Sequence, residues 1–195
     1  FEDAQPTSKA IVVAGGGNYP GNHIWEATSK LASTAYQALE RQGYSPERIR
    51  LLSPTDLGSG VQLGDVNGDG ESDVDLELSS DALRSSIVNW AADASDLIVY
   101  VAGHGGYETV QLSPNEALSA SELGFWLDQL QEDMLGRVIV IYEACQSGTI
   151  IPQLRPQPGR QRVVLTSAGD EPAYFPDQGR GAFSHIFWRD FDAGS

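Results

Sequence analysis

The sequence predicts an α/β fold in which a mainly parallel β-sheet is covered by helices on both faces. Three observations predict it. Short, continuously apolar runs recur at 9–14 (KAIVVA), 97–102 (LIVYVA), 137–142 (RVIVIY) and 162–167 (RVVLTS). Stretches with apolar residues near helical spacing fall between them. Strands apolar throughout, alternating with amphipathic helices, are the pattern of a sheet buried on both sides. The chain has 195 residues, enough for one domain that buries roughly 70% of its unfolded surface and cramped for two.

The elements follow in order. The run 9–14 ends at Gly15-Gly16-Gly17 and reads as a buried strand entering a loop. From about Trp25 to Gln42, Leu31, Ala35 and Leu39 keep helical spacing, and Gly43 stands at the C-terminal end. Residues 48–52 (RIRLL) read as a second strand stopped by Ser53-Pro54. Residues 53–78 lack periodicity and are rich in Gly and Asp, so they read as an insertion, centred on about 58–78. Residues 80–94 read as a helix with Leu83, Ile87, Trp90 and Ala91 on one face, capped by Ser79 or Ser80. After the strand at 97–102, residues 107–118 suit a small hairpin. Ser119-Ala120-Ser121-Glu122 has the S-x-x-E capping pattern and opens a helix with Leu123, Trp126, Leu127 and Leu130 inward. Residues 150–161 hold three prolines and read as a loop, and a last helix fits 182–190.

Composition excludes several functions. The net charge of −15 lacks the basic face that nucleic acid or an anionic membrane requires. It allows calcium, basic partners or plain solubility. No apolar run reaches the roughly 18 residues of a membrane span. The first ten residues, FEDAQPTSKA, show no apolar signal core, and a mature or excised domain reads the same way. One cysteine and three scattered histidines do not make a zinc site. Gly15-Gly16-Gly17 is not a dinucleotide fingerprint, because Pro20 stands where its last glycine belongs.

Active sites in such sheets lie beyond the carboxyl ends of the strands. There, LIVYVA runs into Gly103-His104-Gly105-Gly106, and RVIVIY into Glu143-Ala144-Cys145. If the two strands are neighbours, about 4.8 Å apart, His104 and Cys145 face one cleft. A thiol nucleophile needs a base to become thiolate and an acid for the leaving amine, and one imidazole serves both. Gly105 and Gly106 let backbone approach a substrate and tolerate unusual φ. The N–H groups of Gly105 and Cys145 are placed to meet a developing oxyanion, at about 3–4 kcal/mol per donor. Gly148 would permit the tight turn after the cysteine. Taken singly, such a cysteine is ordinarily core and such a histidine ordinarily solvated; their shared position favours the dyad.

VYVAGHGG followed 41 positions later by IYEACQSG resembles the caspase-fold cysteine peptidases, and most of all their legumain branch. The opening strand with its Gly-Asn loop, Ala35-Tyr36-Gln37 and RVVLTSAG are also similar. The resemblance implies a caspase-haemoglobinase-like three-layer α/β/α sandwich, a single domain over 1–195 carrying the acidic insertion. It implies Cys145 as nucleophile, His104 as acid and base, and the Gly105 and Cys145 backbones as oxyanion hole. It places Glu143 beside the specificity pocket, Ser167 and Ala168 along its wall, and Asn22 as the asparagine that orients the histidine. It also implies a peptide or protein substrate, an inhibitory pro-segment, and no cofactor for catalysis. The chain departs from legumain at about Ala27-Thr28, where legumain has an arginine and a histidine, and at Ala182, where it has an aspartate. The legumain preference for asparagine therefore does not transfer directly. Glu143, Asp170 and Asp177 would instead suit Arg or Lys.

Residues 65–73 read DVNGDGESD. Asp65, Asn67 and Asp69 alternate, Gly70 turns the chain, Glu71 offers a carbonyl and Asp73 closes the set. These are hard oxygens on a flexible loop, suited to a structural Ca2+. Leu76 occupies the twelfth position, so this is not a full EF-hand; the shorter loop resembles those of integrin-type propeller repeats and dockerins. The other reading is a solvated acidic turn. Acidity, the absence of disulfides and this loop lead to an expected secreted or cell-envelope location. The expected activity is that of a cysteine endopeptidase. A ligase that intercepts the same thioester with an amine, and a non-catalytic calcium-dependent binding module, are the alternatives.

Overall fold

The computed structural model describes residues 7–58 and 62–193, so positions 59–61 of the predicted insertion lie outside the described residues. Six strands form one sheet: β1 (Lys9–Ala14), β2 (Ile49–Ser53), β3 (Val74–Glu77), β4 (Leu97–Ala102), β8 (Arg137–Glu143) and β9 (Gln161–Thr166). Every pairing is parallel, in the order β3-β2-β1-β4-β8-β9. A small antiparallel sheet joins β5 (Gly105–Gly106), β6 (Thr109–Ser113) and β7 (Glu116–Ser119), which is the hairpin expected at 107–118.

Alternation along each strand builds the two faces. Ile11, Val13, Val99, Val101, Val138, Val140 and Tyr142 pack with α2 (Ser80–Ser85) and α3 (Ala120–Leu130). Ala10, Val12, Ile98, Tyr100 and Ile141 pack with α1 (Trp25–Arg41) and α4 (Phe183–Ala193). The three-layer α/β/α sandwich is therefore present. Full burial of each such aliphatic side chain contributes about 1.5–3 kcal/mol, which is why strands β1 and β4 carry almost nothing polar.

Local signals set most helix starts. Ser79 caps α2 by accepting from Ala82 N at 3.1 Å, and Ser119 caps α3 by accepting from Glu122 N at 3.2 Å. α1 starts without a side-chain cap from Ile24. Asn22 stands in for it, its Oδ1 accepting from Ile24 N at 3.2 Å.

Three expectations need correction. The helix expected over 80–94 is α-helical only to Ser85 and then widens into a π-turn at Ser86–Trp90. The insertion is not all loop: Val74–Glu77 adds β3 to the sheet edge, and the alternation VDLE was the available signal. The proline-bearing loop begins as a 3₁₀ helix, Ser147–Leu154, with Pro152 inside.

Candidate active site

The chain runs outward from β1 through β2 to β3, then returns to place β4 on the other side of β1. The carboxyl edge at that reversal is the crevice where open α/β sheets bind ligands. β4 and β8 are direct neighbours, with Ala102 in register with Glu143. His104 and Cys145 each stand two residues beyond that matched pair. Gly103 N donates to Glu143 O at 3.1 Å, which carries the register past the strand ends.

The two turns touch through backbone. A Cβ on Gly105 would lie 2.5 Å from the Cys145 carbonyl oxygen, 2.5 Å from the Tyr142 hydroxyl and 2.8 Å from the Ala144 Cβ. Gly105 is thus required by close approach. Neither Gly105 nor Gly106 has the unusual positive φ that the sequence reading allowed for. A similar correction applies after the cysteine. The left-handed residue of that turn is Gln146, at φ 55°, held by Gln146 N donating to Glu171 O at 2.9 Å. Gly148 serves packing instead: a Cβ there would lie 2.8 Å from Ala168 O.

Asn22 fixes the state of the histidine. Its Nδ2 donates to Gly17 O at 2.7 Å, while its Oδ1 accepts from Ile24 N at 3.2 Å. Those two bonds decide which end of the amide is oxygen. The same Oδ1 lies 2.9 Å from His104 Nε2. An amide oxygen only accepts, so Nε2 carries the hydrogen and Nδ1 of the neutral ring keeps its lone pair. Burial pulls the His104 imidazole below the ordinary histidine range, which favours that neutral form.

Cys145 is partly exposed, and its Sγ donates to Ala173 O at 3.8 Å. Residues 169–173 run beside the cysteine turn, with Gly148 N also bonded to Gly169 O at 2.9 Å. Sequence reading singles out only Asp170 on this flank, because DEPAY carries no periodicity. Ser167 and Ala168 brace the same turn. Ser167 Oγ accepts from Ala144 N at 3.1 Å, and Ala168 N donates to Ser147 Oγ at 3.0 Å. Glu143 is 1% exposed, and its Oε2 accepts from Ser184 N at 2.6 Å in the first turn of α4. There it satisfies one of the amides that the first turn of a helix leaves without a partner. Asp170 and Asp177 are exposed.

Sequence reading also passed over Tyr142. Its hydroxyl donates to His104 O at 3.3 Å and Thr109 O at 3.1 Å. A tyrosine at the end of an otherwise aliphatic buried strand was the available signal.

The acidic loop is ordered by its own amides. Asp65 Oδ1 accepts from Gly68 N at 2.7 Å and its Oδ2 from Gly70 N at 3.1 Å. Asn67 Oδ1 accepts from Asp69 N, and Asp69 Oδ1 from Glu71 N. Asp73 takes Val66 N, Asn67 N, Asn67 Nδ2 and the Tyr36 hydroxyl, so it ties the loop to α1. Among the described residues, no three His, Cys, Asp or Glu side chains stand grouped to hold a metal. No helix among them is long and apolar enough to cross a membrane.

Residues 81–176, about half of the chain, match the Peptidase C13 family. No curated protein matches the chain in sequence. Among solved structures, the chain is similar to the crystal structure of caspase-1 from Spodoptera frugiperda, with a TM-score of 0.62 at 13% identity, over 96% of this chain and 69% of that one. That likeness shows the fold, and the matched segment carries both turns of the site. The fold is therefore that of a caspase, and the segment that carries both turns of the site is similar to the peptidase C13 family, a family of cysteine-peptidase type.

Proposed function

We propose that the chain is a cysteine endopeptidase working through Cys145 and His104. The observation that supports it most is the pair's matched position beyond β4 and β8, with the imidazole tautomer set by Asn22. In this reading, His104 Nδ1 takes the proton from Cys145 Sγ. The thiolate attacks the peptide carbonyl carbon, and the N–H groups of Gly105 and Cys145 receive the oxyanion. Collapse breaks the C–N bond, and His104 returns its proton to the leaving amine. A water, giving its proton to His104, then hydrolyses the thioester to the acid and free thiol.

Ser167 and Ala168 form the wall of the pocket for the residue before the cleaved bond, and Glu143 supplies negative field from beneath it. With Asp170 and Asp177 on the adjoining segment, that pocket suits Arg or Lys better than Asn. A mixed peptide library tests this, and indiscriminate cleavage overturns it. An inhibitory pro-segment covering the cleft and a secreted or cell-envelope location belong to the same proposal. Finding the protein only in the cytosolic fraction overturns the location.

A peptidyl acyloxymethyl ketone, followed by mass mapping of the adduct, tests the nucleophile. The label is expected on Cys145, and Cys145→Ala is expected to abolish turnover with little change in melting. Turnover that survives this substitution overturns the assignment. Amide products formed with added amine would mark a ligase, and a silent, unlabelled thiol a binding module.

We also propose that Asp65, Asn67, Asp69, Glu71 and Asp73 take a structural Ca2+. Support comes from the alternation of oxygen-bearing residues on a turn already shaped by Gly70. The cation would have to draw carboxylates from the backbone amides they now hold, so the affinity expected is in the micromolar-to-millimolar range. A calcium titration followed by melting tests it, and an unchanged melting temperature rejects the site.

A further inference from the structure

We propose that Tyr142 is a positioning residue that aims the Gly105 N–H into the oxyanion hole. This role rests on the peptidase reading. The argument starts from the geometry of one peptide unit. In a trans peptide the C=O of one residue and the N–H of the next point in opposite directions, and no described peptide bond is cis. Whatever holds the His104 carbonyl therefore sets the direction of the Gly105 N–H.

Two donors hold that carbonyl. Gln111 N donates to it at 3.2 Å from β6, and the Tyr142 hydroxyl at 3.3 Å from β8. The first bond belongs to the local hairpin and moves with it. The second comes from the strand that carries the nucleophile, so it links the direction of the histidine turn to the place of Cys145. Tyr142 is 1% exposed, so water does not substitute for it. Its hydroxyl also reaches Thr109 O at 3.1 Å, and the single proton is shared between the two carbonyls. Burial, with the charge of Cys145 adding to it, pushes the phenol well above its ordinary range, so it stays a donor wherever the thiol works. The absent Cβ of Gly105 completes the arrangement, because the hydroxyl occupies the space a side chain would need. The phenol touches no substrate atom, so its effect reaches the reaction only through the direction of an amide.

Oxyanion stabilisation matters for acyl transfer and not for alkylation, which passes through no tetrahedral intermediate. Tyr142→Phe is therefore tested in two reactions on the same sample. Peptide hydrolysis should lose about tenfold to hundredfold in kcat/KM, mostly in kcat, since a misaimed donor gives up part of what a missing one costs. Binding of a peptidyl aldehyde, whose thiol adduct carries the same oxygen, should weaken in parallel. Alkylation of Cys145 by iodoacetamide should stay within about twofold of the unsubstituted protein. Both rates are taken per mole of native protein, from the folded fraction in a thermal melt, because an unfolded thiol also takes iodoacetamide but hydrolyses no peptide. Hydrolysis within about twofold of the unsubstituted protein overturns the role of Tyr142 while leaving the peptidase reading intact. Equal losses in hydrolysis and alkylation also overturn it, because they place the effect on the dyad. An unsubstituted protein that cleaves no peptide and takes no peptidyl label overturns both readings together.

Discussion

Replacing Gly105 by alanine adds one methyl group at the point where the two turns meet. Its Cβ would stand 2.5 Å from the Cys145 carbonyl oxygen, 2.5 Å from the Tyr142 hydroxyl and 2.8 Å from the Ala144 Cβ. Ordinary contact begins near 3.4 Å, so the two turns must part by about 0.9 Å, in the range of shift that overpacking imposes. None of the three atoms is the free end of a flexible side chain: one is backbone, one is fixed to backbone and one belongs to a buried, doubly bonded phenol. Overpacking of this kind costs about 1–3 kcal/mol. At roughly 2–4 °C per kcal/mol for a chain of this length, melting should fall by about 2–12 °C. Catalysis should suffer more than stability. The shift separates the Gly105 amide from the cysteine, and a misplacement of about 1 Å costs on the order of a hundredfold. The assay pairs a thermal melt with kcat/KM on a peptide chosen from the library. A Gly105→Ala protein that melts within about 1 °C of the parent and retains its activity would refute the contact between the turns, and with it the site as described.

Two further predictions probe the charge arrangement. Asn22→Asp keeps an oxygen near His104 Nε2 but puts a negative charge there and loses the donor to Gly17 O. Burial holds the His104 imidazole low, so in the parent it adds stability above the ordinary histidine value of about 6.5, and that stability is lost as pH falls through the folded value. The new carboxylate acts in the opposite direction, and the acid limb of kcat/KM should move to higher pH; superimposable profiles for the two proteins would sink the tautomer argument. Asp128→Ala tests a site remote from the chemistry. The Arg162 side chain is 0% exposed and bonds Asp128 Oδ1 at 2.7 Å and Gln131 Oε1 at 2.7 and 3.0 Å. Burial already pulls the Arg162 guanidinium below its ordinary range, with Asp128 opposing that. Loss of the carboxylate should lower stability by about 1–3 kcal/mol, less than for a fully buried pair because Asp128 keeps contact with water. Catalytic constants should not change, and urea melts indistinguishable from the parent would contradict this reading.

The sequence by itself determined the sandwich. Strands β1, β4, β8 and β9 were readable because each is a short apolar run, and hydrophobic burial needs no partner to be recognised. Ser79 and Ser119 were readable as caps because a cap is a local bond between near neighbours in the chain. The two turns of the candidate site were visible because glycine, histidine and cysteine follow strand ends. What only the tertiary structure decided is everything that rests on a contact distant in sequence. β3 needed β2 beside it, since an alternation of only four residues is a weak signal within an acidic stretch. Gln146 rather than Gly148 takes the left-handed turn, because residues 169–171 hold the cysteine turn from outside. Asn22 and His104 are 82 positions apart, and Tyr142 and His104 are 38 apart. Hydrogen bonds of that kind leave no pattern in a linear chain, because their partners are set by how strands are ordered in the sheet. The residue types that supply the chemistry are therefore written in the sequence, while their protonation and aim are set by the fold.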